Sequence, residues 1–202
     1  VQNGQVDSFD FLGERLRLER LKVSLAGSHQ VHNTALVLKA GEILGGDGFK
    51  FSKRLIRRGI TRTRWAGRFQ VVPGKDVPTL ILDVCHNASG AAAFAQTFAR
   101  TYPRRKTAII LGLVKRKEHQ MIVDSLSRIA SQFLLVPLRS KRTVDLIELL
   151  DTLEWHDVPV RRFGKLATAY THLLKTSGPD DIISVVGSHY LVGEFLQKYP
   201  VS

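Results

Sequence analysis

The chain has 202 residues, 44% of them hydrophobic, enough for one full domain and a smaller piece. Thirty Lys and Arg against 18 Asp and Glu give a formal charge of +12, which favours anionic partners such as nucleotides, nucleic acid or polycarboxylates. No apolar run approaches the roughly 20 residues of a membrane span, and the single cysteine, Cys85, excludes an internal disulfide framework and points to a reducing compartment.

The chain opens on Val1-Gln-Asn-Gly, which does not read as a signal peptide and lacks an initiator Met, so a fragment or processed product is expected. Val6–Leu12 and Leu16–Leu25 resemble two strands around Gly13-Glu14. Ser28–Leu44 then reads as a helix closed by Gly45-Gly46-Asp47-Gly48, and a short helix follows over Ser52–Arg58. One hairpin and two helices make a thin core. Residues 1–66 are therefore expected to be the tail of a larger domain, with the boundary near Thr63–Gly67. The densest basic run, Arg54, Arg57, Arg58, Arg62, Arg64 and Arg68, falls here. It lacks the aromatic interleaving of base-stacking proteins, so nucleic acid is not the expected partner.

From residue 67 onward strand and helix alternate. The expected strands are Phe69–Val72, Thr79–Val84, Thr107–Leu113, Gln132–Leu138, Val158–Phe163 and Asp181–Val186. Helical periods lie between them: Ala91 to Tyr102; Ile122, Leu126, Ile129 and Phe133; Leu146 to Leu153; Leu166 to Leu174; and about Tyr190 to Tyr199. Such alternation predicts an α/β fold with a doubly wound, mostly parallel six-stranded sheet. The short turn Pro73–Pro78 predicts that the first strand pairs antiparallel with the second, at one edge.

Four stretches carry polar residues where a sheet protein places ligands. In Ser28-His-Gln-Val-His-Asn33, Asn33 sits in the first turns of a helix against its propensity. Reading an adenine edge explains it, and so does a solvated polar face. His29 and His32 lack an acidic partner at ligand spacing, so no metal site is expected. In Arg64-Trp-Ala-Gly-Arg68, Arg68 can chelate phosphate in bidentate fashion. In Asp83-Val-Cys-His-Asn87, a carboxylate, an imidazole and an amide stand at a strand end, where nucleotide folds bind ribose. Asp83 and Asn87 could equally cap the turn and the helix. Cys85 and His86 are adjacent on an extended stretch and point to opposite faces, which argues against a nucleophile–base dyad. In Gly187-Ser-His-Tyr-Leu-Val-Gly-Glu194, Ser188 and the amides after it suit a carboxylate or phosphate, or form an ordinary helix cap. No Gly-Lys-Ser/Thr phosphate loop occurs anywhere in the chain.

In this order the four stretches resemble the folylpolyglutamate synthase and dihydrofolate synthase family of the Mur ligase superfamily. That family carries His-Gln-x-x-Asn-Ala, Trp-x-Gly-Arg, Asp-Gly-Ala-His-Asn-Pro and Gly-Ser-x-Tyr-Leu-x-Gly-Glu. Here they stand as His29–Thr34, Trp65–Arg68, Asp83–Ala88 and Gly187–Glu194, with Thr34, Val84, Cys85 and Ala88 as departures. The resemblance implies residues 1–66 as the end of a central ATP-binding domain and 67–202 as a glutamate-ligase domain. It implies ATP- and Mg2+-dependent joining of L-glutamate to a folate or dihydropteroate carboxylate through an acyl phosphate. The magnesium ligands belong mostly to a part of the family that precedes these motifs. Asn33 would contact adenine, Arg68 the phosphates and Asp83 the ribose. His86 (also the catalytic candidate), Ser188 and Lys117 would attend the glutamate. A cytoplasmic monomer is expected, with another Mur-type amino-acid ligase of cell-wall precursors, or a basic nucleic-acid-binding module, as the alternatives.

Overall fold

The computed structural model describes residues 8–46, 52–115 and 118–201. Two compact units divide between Trp65 and Ala66. In the first, β1 (Ser8–Leu12) and β2 (Arg17–Lys22) pair antiparallel. They are followed by α1 (Ser28–Gly46) and α2 (Lys53–Arg62). Ser52 caps α2, its Oγ accepting the Leu55 N–H at 3.2 Å. The core is small: Leu18, Leu21 and Leu38, flanked by Phe9, Phe11, Leu16, Ile56 and Ile60. Leu36, Val37 and Ile43 on α1 stay exposed, so this helix is apolar beyond its buried stripe.

A buried carboxylate organises the β1–β2 turn. Glu42 of α1 accepts the backbone N–H groups of Arg15 (2.6 Å) and Leu16 (2.8 Å) and pairs with Lys39 (2.8 Å). The Lys39 bond and then the two amides hold its pKa down to about 2. Nothing in the local sequence marks this role, because the partners lie 26 and 27 residues away.

In the second unit, β3 (Gln70–Val72), β4 (Thr79–Asp83), β5 (Thr107–Leu111), β6 (Ala130–Leu135), β7 (Val160–Arg162) and β8 (Ile182–Val186) form one sheet in the order β3-β4-β8-β5-β6-β7. Only the β3–β4 edge pair is antiparallel. The helices are α3 (Ala88–Thr101), α4 (His119–Ser127), α5 (Leu146–Leu153), α6 (Leu166–Thr176) and α7 (His189–Lys198). The expected doubly wound, mostly parallel sheet is thus present, with its antiparallel edge. The expected helical period from Ile122 to Phe133 spans two elements: α4 stops at Ser127, and Phe133 belongs to β6. The apolar spacing runs through the Arg128–Ile129 turn because both the helix and the strand bury apolar faces.

The strands read as continuous apolar runs because both faces are covered. Leu82, Ile110 and Val185 share one core with Leu166 and Leu173 of α6 and Leu191 and Phe195 of α7. The alternate residues Ile81, Ile109 and Leu111 are as deeply buried. They point to the opposite face, the side of α3, α4 and α5, which adjoin one another in turn. Each large apolar side chain so covered contributes about 1.5–3 kcal/mol.

This topology places the site. β4 and β8 are neighbours, with Asp83 beside Val186. The helices that follow them, α3 and α7, lie on opposite faces of the sheet. Such a divergence opens a crevice at the carboxyl ends of the two strands, the usual ligand position in open α/β sheets.

Candidate functional site

Asp83 ends β4 half-buried at this crevice. One carboxylate oxygen accepts the Phe69 N–H at 2.7 Å and the other accepts the Cys85 N–H at 2.8 Å. Burial raises its pKa, against the lowering by these two amides and by the Arg68 guanidinium. The Cys85 thiol donates to the carboxylate as well; a carboxylate offers about four lone-pair sites, so the turn-tying role leaves room for a ligand hydroxyl.

Arg68 is carried to the same place by a tight turn. Gly67 adopts φ +71°, and a Cβ there would come within 2.9 Å of Val192 and 3.0 Å of Val84. Only glycine lets the chain pass this close to α7. The turn is tied to the strand end by the Val84 N–H, which donates to the Gly67 carbonyl at 2.9 Å.

The His86 Nδ1 lies 3.1 Å from the Val84 carbonyl oxygen. A carbonyl only accepts, so Nδ1 carries the hydrogen in the neutral ring and Nε2 is left basic. Asn87 caps α3, its side-chain oxygen accepting the Gly90 N–H at 2.8 Å. Of the two readings of this turn, capping therefore holds for Asn87. Cys85 is buried, and desolvation, with the Asp83 charge next, pushes its thiol well above the ordinary value. It stays protonated and is no nucleophile.

On the β8 side, Gly187 adopts φ +115°, with its α-carbon against the Gly112 carbonyl: a Cβ would meet that oxygen at 2.7 Å. Ser188 is almost fully buried, and its Oγ accepts the Leu191 N–H at 3.1 Å, capping α7. Its hydroxyl hydrogen is a further donor. The rings of His86 and His189 come within 5.2 Å, which joins the two strand ends into one site.

Arg68, Asp83, His86 and Ser188 thus converge within the second unit. Asn33 belongs to the first, on the exposed side of α1, where its Nδ2 donates to the Gln30 Oε1 at 3.2 Å. Lys117 lies outside the described residues. Two contributors were not singled out from sequence. One is His189, masked by standing between recognisable motif residues. The other is Glu118, whose Oε2 accepts the Ala88 N–H of α3 at 3.2 Å from 30 residues away. Among the described residues, no three His, Cys, Asp or Glu side chains come together as a metal site. No helix among them is long and apolar enough to cross a membrane.

A parallel α/β domain with basic and hydroxyl groups at its switch point is of the class that binds small anionic ligands. Residues 67–189 match the family described as Mur ligase, glutamate ligase domain, and the chain belongs to it. The chain is 24% identical over 200 residues to a dihydrofolate synthase/folylpolyglutamate synthase of Bacillus subtilis, covering 95% of this chain and 44% of that protein. A Mycobacterium tuberculosis folylpolyglutamate synthase complexed with ADP and AMPPCP superposes with a TM-score of 0.85 at 25% identity, over 100% of this chain and 46% of that one. A bifunctional folylpolyglutamate synthase/dihydrofolate synthase with Mn, AMPPNP and L-glutamate bound gives 0.77 at 25%, over 93% and 43%. The chain spans a little under half the length of these relatives.

Proposed function

We propose that this chain is the carboxyl-terminal part of an ATP-dependent ligase that adds L-glutamate to a folate or dihydropteroate carboxylate through an acyl phosphate. The observation that carries the reading is the convergence of Arg68, Asp83, His86 and Ser188 at the β4–β8 crevice of a glutamate-ligase domain. The names of the similar proteins favour a folate over a cell-wall substrate.

The chemistry follows from the groups present. ATP supplies the phosphoryl group that turns a poor leaving group into a good one. Arg68, a planar donor fork, suits the phosphates, and Asp83, with lone pairs to spare, suits the ribose. Asn33 is assigned to the adenine and Lys117 to the glutamate. The incoming amine must shed a proton before it attacks the acyl carbon. His86 is fit to take it, since its Nδ1–H is engaged by Val84 and its Nε2 lone pair is left to accept a proton. The Ser188 hydroxyl donates to a glutamate carboxylate while its oxygen holds α7. The divalent ion, which we take to be Mg2+, finds no ligand cluster in the described residues. The single free cysteine suits a reducing compartment, and we assign the protein to the cytoplasm, acting as a monomer.

The test is incorporation of labelled L-glutamate by the full-length protein with ATP and Mg2+. Dihydropteroate, a reduced folate and a cell-wall muramoyl precursor are offered in parallel. Product on either pterin substrate with stoichiometric ADP supports the reading. Product on the muramoyl precursor alone, or on none, overturns it.

A further inference from the structure

His189 is the first residue of α7, at the variable position between Ser188 and Tyr190, and the family resemblance gives it no role. It is exposed, and its ring lies 5.2 Å from that of His86, tilted by 49°. The two rings come from opposite sides of the crevice, one after β4 and the other after β8. Arg68, from a third segment, is within electrostatic reach of both His189 and Asp83.

The acidic groups of this region are already engaged. Asp83 accepts the Phe69 and Cys85 amides, Glu118 accepts the Ala88 amide, and Glu194, one turn along α7, pairs with Arg139 at 3.2 Å. Among the described residues, no carboxylate pairs with His86 or His189. Two imidazoles therefore face one crevice with no carboxylate paired to either, while Arg68 has the Asp83 charge within reach. Such a cluster costs mutual repulsion in the empty protein, and an external anion relieves it.

We propose that His189 is a substrate-binding residue that, beside the Ser188 hydroxyl, seats a carboxylate of the incoming glutamate next to the His86 base. The proposal rests on the ligase reading above and deepens it. A carboxylate has two oxygens and can accept the Ser188 hydroxyl on one and a His189 ring N–H on the other, leaving the amine of the same molecule to reach the neutral His86 Nε2. Partial burial, then His86, then Arg68 hold His189 below its ordinary pKa. An anion at the His189 ring reverses that balance, so glutamate binding draws in a proton and strengthens as pH falls.

The experiment is a titration of the 202-residue chain followed by NMR of the histidine rings, at about pH 6 and about pH 8. The probes are L-glutamate and, separately, inorganic phosphate. L-glutamate should shift the His86 and His189 signals saturably, and more tightly at the lower pH. His189→Gln should weaken binding roughly tenfold, as for loss of a charge-assisted bond, and flatten the pH dependence with the melting temperature kept. Equal affinity and pH dependence in His189→Gln would overturn this assignment and leave the ligase reading standing. Saturation by phosphate but not glutamate would show a phosphate seat and also overturn it. Binding of neither probe overturns the seat, while the ligase reading is decided separately by glutamate incorporation.

Discussion

The Asp83 carboxylate and the backbone N–H of Phe69 are joined by a 2.7 Å hydrogen bond across 14 residues. Phe69 adopts φ +42°, a left-handed conformation uncommon for a bulky residue. The same carboxylate holds Cys85. One side chain thereby fixes both the turn that carries Arg68 and the turn that carries His86.

Asp83→Ala should therefore destabilise the 202-residue chain by about 1–3 kcal/mol, the range for losing a charged partner of backbone amides. Denaturant unfolding measures this. In the full-length protein the same substitution should also raise the ATP requirement with folate binding little changed. Lost stability with unaltered ATP dependence would mean that Asp83 only ties the turns and has no place on the ribose.

Glu42 gives the first unit an acid sensitivity of known sign. Its folded pKa is about 2 against an ordinary value of 4.5. A depressed carboxylate contributes stability that is fully present above 4.5 and is lost as pH falls toward 2. Stability of the unit holding Glu42 should drop across that window, and Glu42→Gln should show a flatter profile there. Unfolding midpoints from pH 5 downward check it, and parallel profiles for both proteins would refute it.

Ser188 caps α7, and the proposed ligase reading gives its hydroxyl a second task. Ser188→Ala should cost about 1 kcal/mol, as for other lost helix caps, and should raise the glutamate KM of the full-length enzyme. Ser188→Thr retains both the cap acceptor and the hydroxyl donor, so it should restore stability and KM together. Recovery of stability without KM would separate the cap from the ligand contact.

Gly187→Ala tests the backbone beside it. At φ +115° with Gly112 at its back, a Cβ has no room without moving β5 or β8. The expected loss is about 1–3 kcal/mol, read as a lower melting temperature.

A chain beginning at Ala66 should fold without residues 1–65. The second unit holds a six-stranded sheet covered on both faces, whereas the first holds a hairpin and two helices over a few leucines. A cooperative thermal transition by circular dichroism supports this. The 202-residue chain should show no glutamate incorporation by itself, since it has no Gly-Lys-Ser/Thr loop to cradle a triphosphate. Turnover by the purified chain would contradict that.

Local chemistry made much of this protein legible. Runs such as Leu80–Leu82 and Ile182–Val186, buried on both sides, announce parallel strands, and Pro73–Pro78 announces the antiparallel edge. The motif residues stand at strand ends because backbone amides and turns are exposed there. The strand order is another matter. Nothing near Ile182 says that β8 inserts between β4 and β5, since that depends on which apolar faces remain uncovered once the other strands are laid. The meeting of His86 with His189 follows from that insertion, whereas the grip of Asp83 on Phe69 comes with the β3–β4 edge pair and that of Glu118 on Ala88 with the packing of α3 beside α4. Sequence proximity determines propensity, capping and alternation, all of which act over a few residues. Which polar groups share one crevice, and which carboxylates are already engaged there, is decided only when burial of both sheet faces brings distant segments together.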